Sequence, residues 1–157
     1  MMKMDLIDRS LLQFIQEDSR ITVHELSKKL LLSPLSIKKR LQRLEKNGTI
    51  QGFTVILSPN AIGKSVKAII QIANLKIKTQ QFEEIIKGEK DILECHRITG
   101  INSYFMKTAV SSIKQLEDFS NRLTHYGKVN TSLIITSPVS HRILLPKTEY
   151  LQPIKNE

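Results

Sequence analysis

The chain of 157 residues carries a formal net charge of +9 and one cysteine, and 40% of its residues are hydrophobic. This length makes one ordinary domain or two small ones, and the single Cys95 excludes an internal disulfide. The sequence has no long apolar run and no signal-peptide pattern, which predicts a cytoplasmic protein with no membrane partner. Its positive charge favours a polyanionic partner.

Two helices are predicted at the N-terminal end. The first covers residues 5–17, where four apolar residues recur at helical spacing and Asp5 and Asp8 suit the helix dipole. Those apolar residues are Leu6, Leu11, Leu12 and Ile15. The second helix begins at the capping box of Thr22 and Glu25, and it carries Leu26 and Leu30 on one side.

A third helix, over residues 34–46, has clear signals at both ends. Ser33 can cap its free N–H groups, Pro34 suits the first helical position, and Gly48 follows its end. One narrow stripe of the helix is apolar and consists of Ile37, Leu41 and Leu44. Three helices with a short second connection are typical of a helix-turn-helix.

The opposite face of this third helix is basic, and Arg40 lies at the edge between the two faces. Such a helix can enter the major groove of DNA, where Arg and Lys suit guanine, Gln suits adenine, and cations reach phosphates. The predicted DNA-contacting residues are Ser33, Leu35, Ser36, Lys38, Lys39, Arg40, Gln42, Arg43 and Lys46. The alternative is an ordinary solvated helix, so the face alone is weak evidence for DNA binding.

The rest of the chain alternates between strand and helix patterns. A β-prone stretch at residues 51–57 reads as a wing or a linker strand. The elements predicted after it are strands at 66–77, 92–99, 104–110 and 133–136 and helices at 79–87 and from 113 onward. This order, β-α-β-β-α-β, is the ferredoxin-like arrangement, so the predicted fold class is α+β.

An antiparallel sheet with both helices on one face leaves its other face to be covered. Tyr104, Met106 and Val110 alternate along one strand, and they predict pairing with a second copy of the chain. Residues 137–157 hold three of the five prolines and read as an extended tail.

With these motifs in order, the chain resembles the Lrp/AsnC family of feast/famine transcriptional regulators. In the first half, the resemblance is carried by Asp5-Leu6-Ile7-Asp8-Arg9, Leu11-Leu12, Arg20-Ile21, Glu25-Leu26-Ser27-Lys28, Leu32-Ser33-Pro34, Arg40-Leu41-Gln42-Arg43-Leu44-Glu45 and Gly48-Thr49-Ile50-Gln51-Gly52-Phe53. In the second half, it is carried by Glu94-Cys95-His96, Gly100, Tyr104 and Lys107-Thr108.

The resemblance implies four regions, and it implies dimers that assemble further, as far as octamers, with amino acids bound between subunits. The regions are a helix-turn-helix at 1–50, a linker strand at 51–63, a ferredoxin-like domain at 64–139 and a tail at 140–157. We therefore expect a sequence-specific regulator that binds double-stranded DNA in the nucleoid as a dimer or higher oligomer and responds to a small effector.

Three positions depart from the family pattern. Leu31 replaces the usual Gly after the second helix, and a leucine disfavours the positive φ that such a turn adopts. Ser103 replaces the usual Asp of the Gly-x-x-Asp-Tyr loop, which removes a carboxylate for an effector's ammonium. Thr131 keeps only the second threonine of a Thr-x-Thr pair.

The predicted effector site lies at a subunit boundary, where Gly100 allows close backbone approach and neutral polar groups surround it. Its residues are Gly100, Asn102, Ser103, Tyr104, Thr131 and Ser132. The alternative is a simple turn that only packs dimers together.

Nothing in the sequence predicts catalysis, a metal or a cofactor. The four histidines follow no zinc-ligand spacing, and Cys95 and His96 would point to opposite faces of a strand. We favour a DNA-binding regulator. The alternative is a small-molecule-binding regulatory subunit or enzyme built on the ferredoxin-like domain, because that fold hosts many activities.

Overall fold

The computed structural model describes residues 4–147 and the backbone of residues 151 and 152. The described residues form two compact units. The first unit combines residues up to Val55 with residues from Val139 onward, and the second is Ile56–Pro138.

The first unit contains the three predicted helices. They are α1 (Leu6–Glu17), α2 (Val23–Leu30) and α3 (Pro34–Lys46). Asp5, Thr22 and Ser33 cap them with their side chains, and the first two form complete capping boxes. Their apolar stripes meet in one core of Leu11, Leu12, Ile15, Leu26, Ile37 and Leu44.

The predicted extended tail is packed against the first unit. Leu145 packs against the core of the first unit, and a short strand β6 (Leu151–Gln152) pairs in parallel with β1 (Met4–Asp5). The boundary at residue 140 followed the family pattern, and proline content marked the tail as extended, whereas Leu145 packs against the helical core and the backbone of Leu144 is hydrogen-bonded to Gln16 on α1.

The second unit is the predicted ferredoxin-like βαββαβ domain. Its elements are β2 (Val66–Ala73), α4 (Thr79–Lys87), β3 (Ile92–Arg97), β4 (Tyr104–Val110), α5 (Ile113–Leu123) and β5 (Lys128–Leu133). The four strands form one antiparallel sheet in the order β3-β4-β2-β5. Its core gathers buried side chains from β2, α4, β4 and α5.

Three predicted strands have wrong boundaries. The last strand occupies Lys128–Leu133 rather than 133–136, because pairing with β2 selects the polar residues before the apolar run. β2 ends at Ala73, since Asn74 adopts a left-handed φ of 50°. β3 ends at Arg97 rather than at residue 99.

The β-prone stretch 51–57 forms no strand among the described residues. Its apolar side chains at Phe53, Val55, Ile56 and Leu57 are all exposed. A strand needs a hydrogen-bonded neighbour, and the described part of this single chain offers none to these residues. A one-turn 3-10 helix (Asn60–Ile62) follows.

The two faces of the sheet carry different residues from those predicted. Tyr104, Met106 and Val110 are buried against the helices, so the expectation that they meet a second copy is wrong. The opposite face presents half-buried Ile69 and Phe105 instead, together with polar neighbours. The alternation was predicted correctly, but the buried face of β4 was assigned to the wrong side.

The turn between α2 and α3 keeps a left-handed residue although no glycine is present. Leu31 has φ 54° and ψ 41°, and its side chain is 90% exposed. The hydroxyl of Ser27 donates to the carbonyl of Leu32 across this turn, and the N–H of Leu32 donates to the carbonyl of Ser27 at 3.1 Å. These bonds hold a conformation that the leucine itself disfavours.

Replacing Leu31 with glycine is expected to stabilise the first unit. The left-handed conformation costs a leucine about 1–2 kcal/mol, and glycine removes that cost. Glycine also raises the entropy of the unfolded chain, which lowers the free energy of unfolding by about 0.4–1 kcal/mol. The net increase in the free energy of unfolding is therefore about 0.5–1 kcal/mol. Chemical denaturation of Leu31→Gly measures it. Val55→Gly, at an exposed residue of the same unit without a positive φ, is the control and should gain nothing. A loss of stability in Leu31→Gly would contradict the strain.

Candidate DNA interface and effector loop

Helix α3 is positioned by its N-terminal cap and its buried stripe. The hydroxyl of Ser33 accepts a hydrogen bond from the N–H of Ser36 at 3.1 Å, so Ser33 is occupied in starting the helix. Ile37 and Leu44 are fully buried, and Leu41 packs at the edge of the same core. This burial fixes which face of α3 points outward.

The outward face of α3 presents polar and cationic side chains. Lys38, Lys39, Gln42 and Lys46 are exposed, and Leu35 is exposed by 63% at the start of the same face. Among the described residues, the three lysines form no ion pair. Unpaired cations on a rigid helix are available to neutralise phosphates.

Arg40 was predicted to contact DNA, but its guanidinium forms ion pairs within the first unit. Its Nη1 donates to Asp5 Oδ2 at 2.7 Å and to Asp8 Oδ1 at 2.8 Å, and its side chain is 12% exposed. Arg43 also pairs with Asp8, but 43% of its side chain stays exposed. We therefore correct the sequence prediction and exclude Arg40 from the DNA-contacting set.

Asp8 is the centre of this cluster. It is fully buried, its carboxylate receives both arginines, and it completes the capping box with Asp5 at the start of α1. A buried carboxylate is tolerated only when charges and hydrogen bonds of this kind compensate for the lost water. The cluster therefore ties the first turn of α1 to the middle of α3.

Asp5 shows the electrostatic effect of the cluster. Burial raises the pKa of its carboxyl, but the hydrogen bond from the Asp8 N–H and the bonds and charge of Arg40 outweigh burial, so the pKa falls below its ordinary 3.8. A lowered carboxyl pKa stabilises the fold at pH values above the ordinary pKa of the group. That contribution is lost as the pH falls through the folded-state pKa.

The loop between β3 and β4 has the geometry of a tight connection. Gly100 has φ 111°, which favours glycine, and the N–H of Ile98 donates to the carbonyl of Ser103 at 2.9 Å. The N–H of Ser103 donates to the carbonyl of Ile72 at 2.7 Å, which fixes the loop to the end of β2. Among the described residues, the Ser103 hydroxyl makes no hydrogen bond, so this side chain is free for another role.

Tyr104 is directed inward from this loop. It is 2% exposed, and its hydroxyl donates to Glu83 Oε1 at 2.7 Å. Burial, together with that bond and the charge of Glu83, raises the pKa of Tyr104 to about 12. The hydroxyl therefore stays protonated and remains a donor to Glu83.

The six predicted effector residues do not form one cluster within a single chain. Thr131 pairs with Ile70 and Ser132 pairs with Ile69. Tyr104 pairs with Ile72, which lies two to three residues further along β2. Neighbouring strands lie about 4.8 Å apart, so the β5 residues are about 10 Å from β4 even before that offset. Thr131 turns toward α5, where its hydroxyl lies 2.9 Å from that of Ser120, and Ser132 takes the opposite face.

Cys95 and His96 point to opposite faces of β3, as predicted from strand geometry. Cys95 pairs with Met106 and borders a cleft of about 400 Å³ beside α4, whereas His96 faces Phe105 with ring centroids 6.4 Å apart. Cys95 is exposed, and the partial burial of its thiol, with the charge of Glu83, raises the pKa of that thiol. The described residues include no group of three or more acidic, histidine or cysteine side chains able to hold a metal.

Comparison with known proteins matches both units. Residues 4–51 match the model of winged helix-turn-helix DNA-binding domains, and residues 67–144 match the Lrp/AsnC ligand binding domain. The chain is 36% identical over 152 residues to the leucine-responsive regulatory protein of Escherichia coli K12, covering 92% of this chain and 93% of that protein. It belongs to the Lrp/AsnC family. It is a DNA-binding transcriptional regulator of that type.

Other Lrp/AsnC proteins agree in sequence and in fold. The regulator LrpC of Bacillus subtilis is 30% identical over 135 residues, covering 86% of this chain and 94% of LrpC. Its solved structure superposes with a TM-score of 0.84, covering 89% of this chain and all of that one. A regulator of Neisseria meningitidis solved in complex with L-Met has 26% identity and a TM-score of 0.84, covering 95% of this chain and all of that one.

No helix in the described part of this Lrp/AsnC chain is long and apolar enough to span a membrane.

The residues that the sequence analysis missed are those that hold α3 in place. Asp5 and Asp8 were assigned only to the helix dipole, although their spacing of three is also that of a capping box. The contact of Leu145 had no local signal, because it depends on a segment far away in the sequence.

Proposed function

We propose that α3 enters the major groove of DNA and that the protein regulates transcription by binding alone, without catalysing a reaction. The observation that carries this proposal is the row of unpaired, exposed lysines opposite a fully buried stripe on a helix held by a buried ion-pair cluster. A regulator of this kind works at the nucleoid, in the cytoplasm, where its DNA lies.

The proposed contacts divide into two groups. Leu35, Ser36, Lys39 and Gln42 face base edges, where Lys suits guanine and Gln suits adenine. Lys38 and Lys46 reach phosphates, and Arg43 contributes through its exposed part, while Ser33 lies beside them as the helix cap.

We propose a dimer that presents two reading helices, the α3 of each chain, to one DNA site. The face of the sheet away from the helices carries Ile69 and Phe105 with Gln71 and Lys107, a mixed surface suited to a second copy. The free apolar side chains of residues 51–57 add a segment that lacks a strand partner in the described chain. Assembly of dimers to an octamer extends the same proposal.

Light scattering tests the dimer. A stable monomer at micromolar concentration would contradict the proposed dimer.

We propose that the loop from Gly100 to Ser103 receives a small amino acid at a boundary between subunits. A related regulator was solved with L-Met, and another is called leucine-responsive, which supports an amino-acid effector here. Asn102 and Ser103 supply neutral polar groups from one subunit. Thr131 and Ser132 supply theirs from another, because one chain does not bring them to the loop.

Removing two of the proposed phosphate contacts tests the DNA interface. In Lys38→Ala/Lys46→Ala, log affinity for a DNA duplex should depend less steeply on log salt, by about 1.8, because each phosphate contact contributes about 0.9. Fluorescence anisotropy over a series of salt concentrations measures the slope.

The matched control is Lys87→Ala/Lys114→Ala, which removes the same charge from exposed helix positions in the second unit. It should leave the slope unchanged. Equal slopes for the wild type and the α3 variant, with the variant folded, would show that α3 does not contact DNA in this way.

Restoring the family's carboxylate tests the effector loop. Ser103→Asp should create or strengthen binding of L-leucine or L-methionine, because a charged acceptor holds an ammonium better than a neutral hydroxyl. Isothermal titration calorimetry measures the change against Ser65→Asp, which adds the same charge at an exposed site outside the loop. Tight wild-type binding that is insensitive to position 103 would place the effector elsewhere.

A further inference from the structure

A segment that follows the second unit in the chain is bound along α1 by hydrogen bonds to its backbone. The side-chain amide of Gln16 donates from Nε2 to the carbonyl of Leu144 at 2.9 Å, and its Oε1 accepts from the N–H of Leu144 at 3.0 Å. One glutamine thus satisfies both backbone groups of a single residue, as a neighbouring strand would. We call residues 143–145 the C-terminal strap.

The strap also contributes to the core of the first unit. Leu145 packs against the cluster formed by the three helices, while the side chain of its neighbour Leu144 is 80% exposed. The two leucines therefore have separable roles, because Leu145 acts through its side chain and Leu144 through its backbone. Such a reciprocal bond pair beside an apolar anchor is a specific docking arrangement rather than a loose tail.

The helix that binds the strap is also the helix that holds the reading helix. Asp8 on α1 pairs with Arg40 and Arg43 on α3. The strap contacts α1 near its C-terminal end at Gln16, and the ion pairs lie near its N-terminal end. The Asp8 cluster is therefore the contact through which a change in α1 would act on α3.

We infer that the C-terminal strap is a required component of the DNA-binding unit and raises DNA affinity by ordering α1, without contacting DNA. This inference rests on the proposed insertion of α3 into the major groove. It gives the first unit a second covalent link to the second unit, because the strap follows β5 in the chain as residues 51–55 precede that unit. The match to the winged helix-turn-helix ends at residue 51 and the match to the ligand binding domain ends at residue 144, so neither match makes Leu145 part of the helix-turn-helix.

Two pairs of matched variants in the full chain test the role of the strap. Leu145→Ala removes the buried side chain, whereas Leu144→Ala removes an exposed one and keeps the backbone bonds. Gln16→Ala removes the reciprocal bonds, whereas Gln13→Ala on the same helix removes only an exposed bond to Glu17. Amide hydrogen exchange at α1, measured by mass spectrometry of peptides, reports on local order without any DNA.

Leu145→Ala and Gln16→Ala should each speed exchange in α1 by about fivefold, the change expected for about 1 kcal/mol of local stability. Their two partner variants should stay near the wild type. Leu145→Met, which conserves volume, should restore slow exchange. Equal exchange in Leu145→Ala and Leu144→Ala would overturn the inference.

DNA binding separates an indirect effect from a direct one, since the exposed Arg142 and Lys147 flank the strap. Leu145→Ala should weaken affinity for a mixed-sequence duplex by about twofold to threefold, a fraction of its fivefold effect on α1 order, with an unchanged slope against log salt. A reduced slope in Arg142→Ala/Lys147→Ala would show that the strap contacts phosphates itself and would overturn the indirect role.

The exchange measurement and the DNA-binding measurement can contradict different parts of the inference. Faster exchange in Leu145→Ala with no change in DNA affinity would overturn the link from strap to reading helix. If neither the wild type nor any variant binds a duplex through α3, the proposed function fails, whereas the exchange comparison still decides whether the strap orders α1. Where Leu145→Ala does not fold, Gln16→Ala, which alters only a partly exposed polar contact, answers the same question.

Discussion

The DNA-binding unit depends on one buried carboxylate. Asp8 is removed from water at the start of α1, and its negative charge is compensated by Arg40 and Arg43 on α3 and by the capping box with Asp5. Removing one partner from such a buried arrangement typically costs about 3–5 kcal/mol, because the other charges stay buried and unpaired. The cluster therefore joins α1 to α3 in addition to the apolar packing between them.

This arrangement divides the basic residues of α3 by function. Arg40 supplies an internal anchor, while the exposed lysines on the other side carry no partner among the described residues and remain available for DNA. The same helical core also receives Leu145 from the strap, which follows the second unit in the chain. The strap, α1, the ion pairs and α3 thus form one continuous series of contacts within a single folded unit.

Local signals predicted the elements of the fold well and their partners less well. Caps at Thr22 and Ser33 and the apolar stripe of Ile37 and Leu44 are encoded within a few residues, so the helices were predicted closely. The position of β5 was predicted wrongly at both ends, because its register is set by pairing with β2, which lies far away in the sequence.

The same limit applies to the candidate sites. The lysine face of α3 follows from helical periodicity, and the exposed positions of Lys38, Lys39 and Lys46 agree with it. Arg40 was assigned to DNA because its acidic partners lie 32 and 35 residues earlier, where no local pattern links them. Which face of β4 is buried likewise depends on where α4 and α5 pack, and alternation alone leaves both choices open.

A double-mutant cycle on Asp8→Ala and Arg40→Ala tests the central claim most directly. The free energies of unfolding of the wild type, both single variants and the double variant give the coupling between the two side chains. We predict a coupling of about 2–3 kcal/mol, at the upper end for residues in direct contact. Effects that add to within about 0.5 kcal/mol would show that Arg40 does not anchor the reading helix through Asp8.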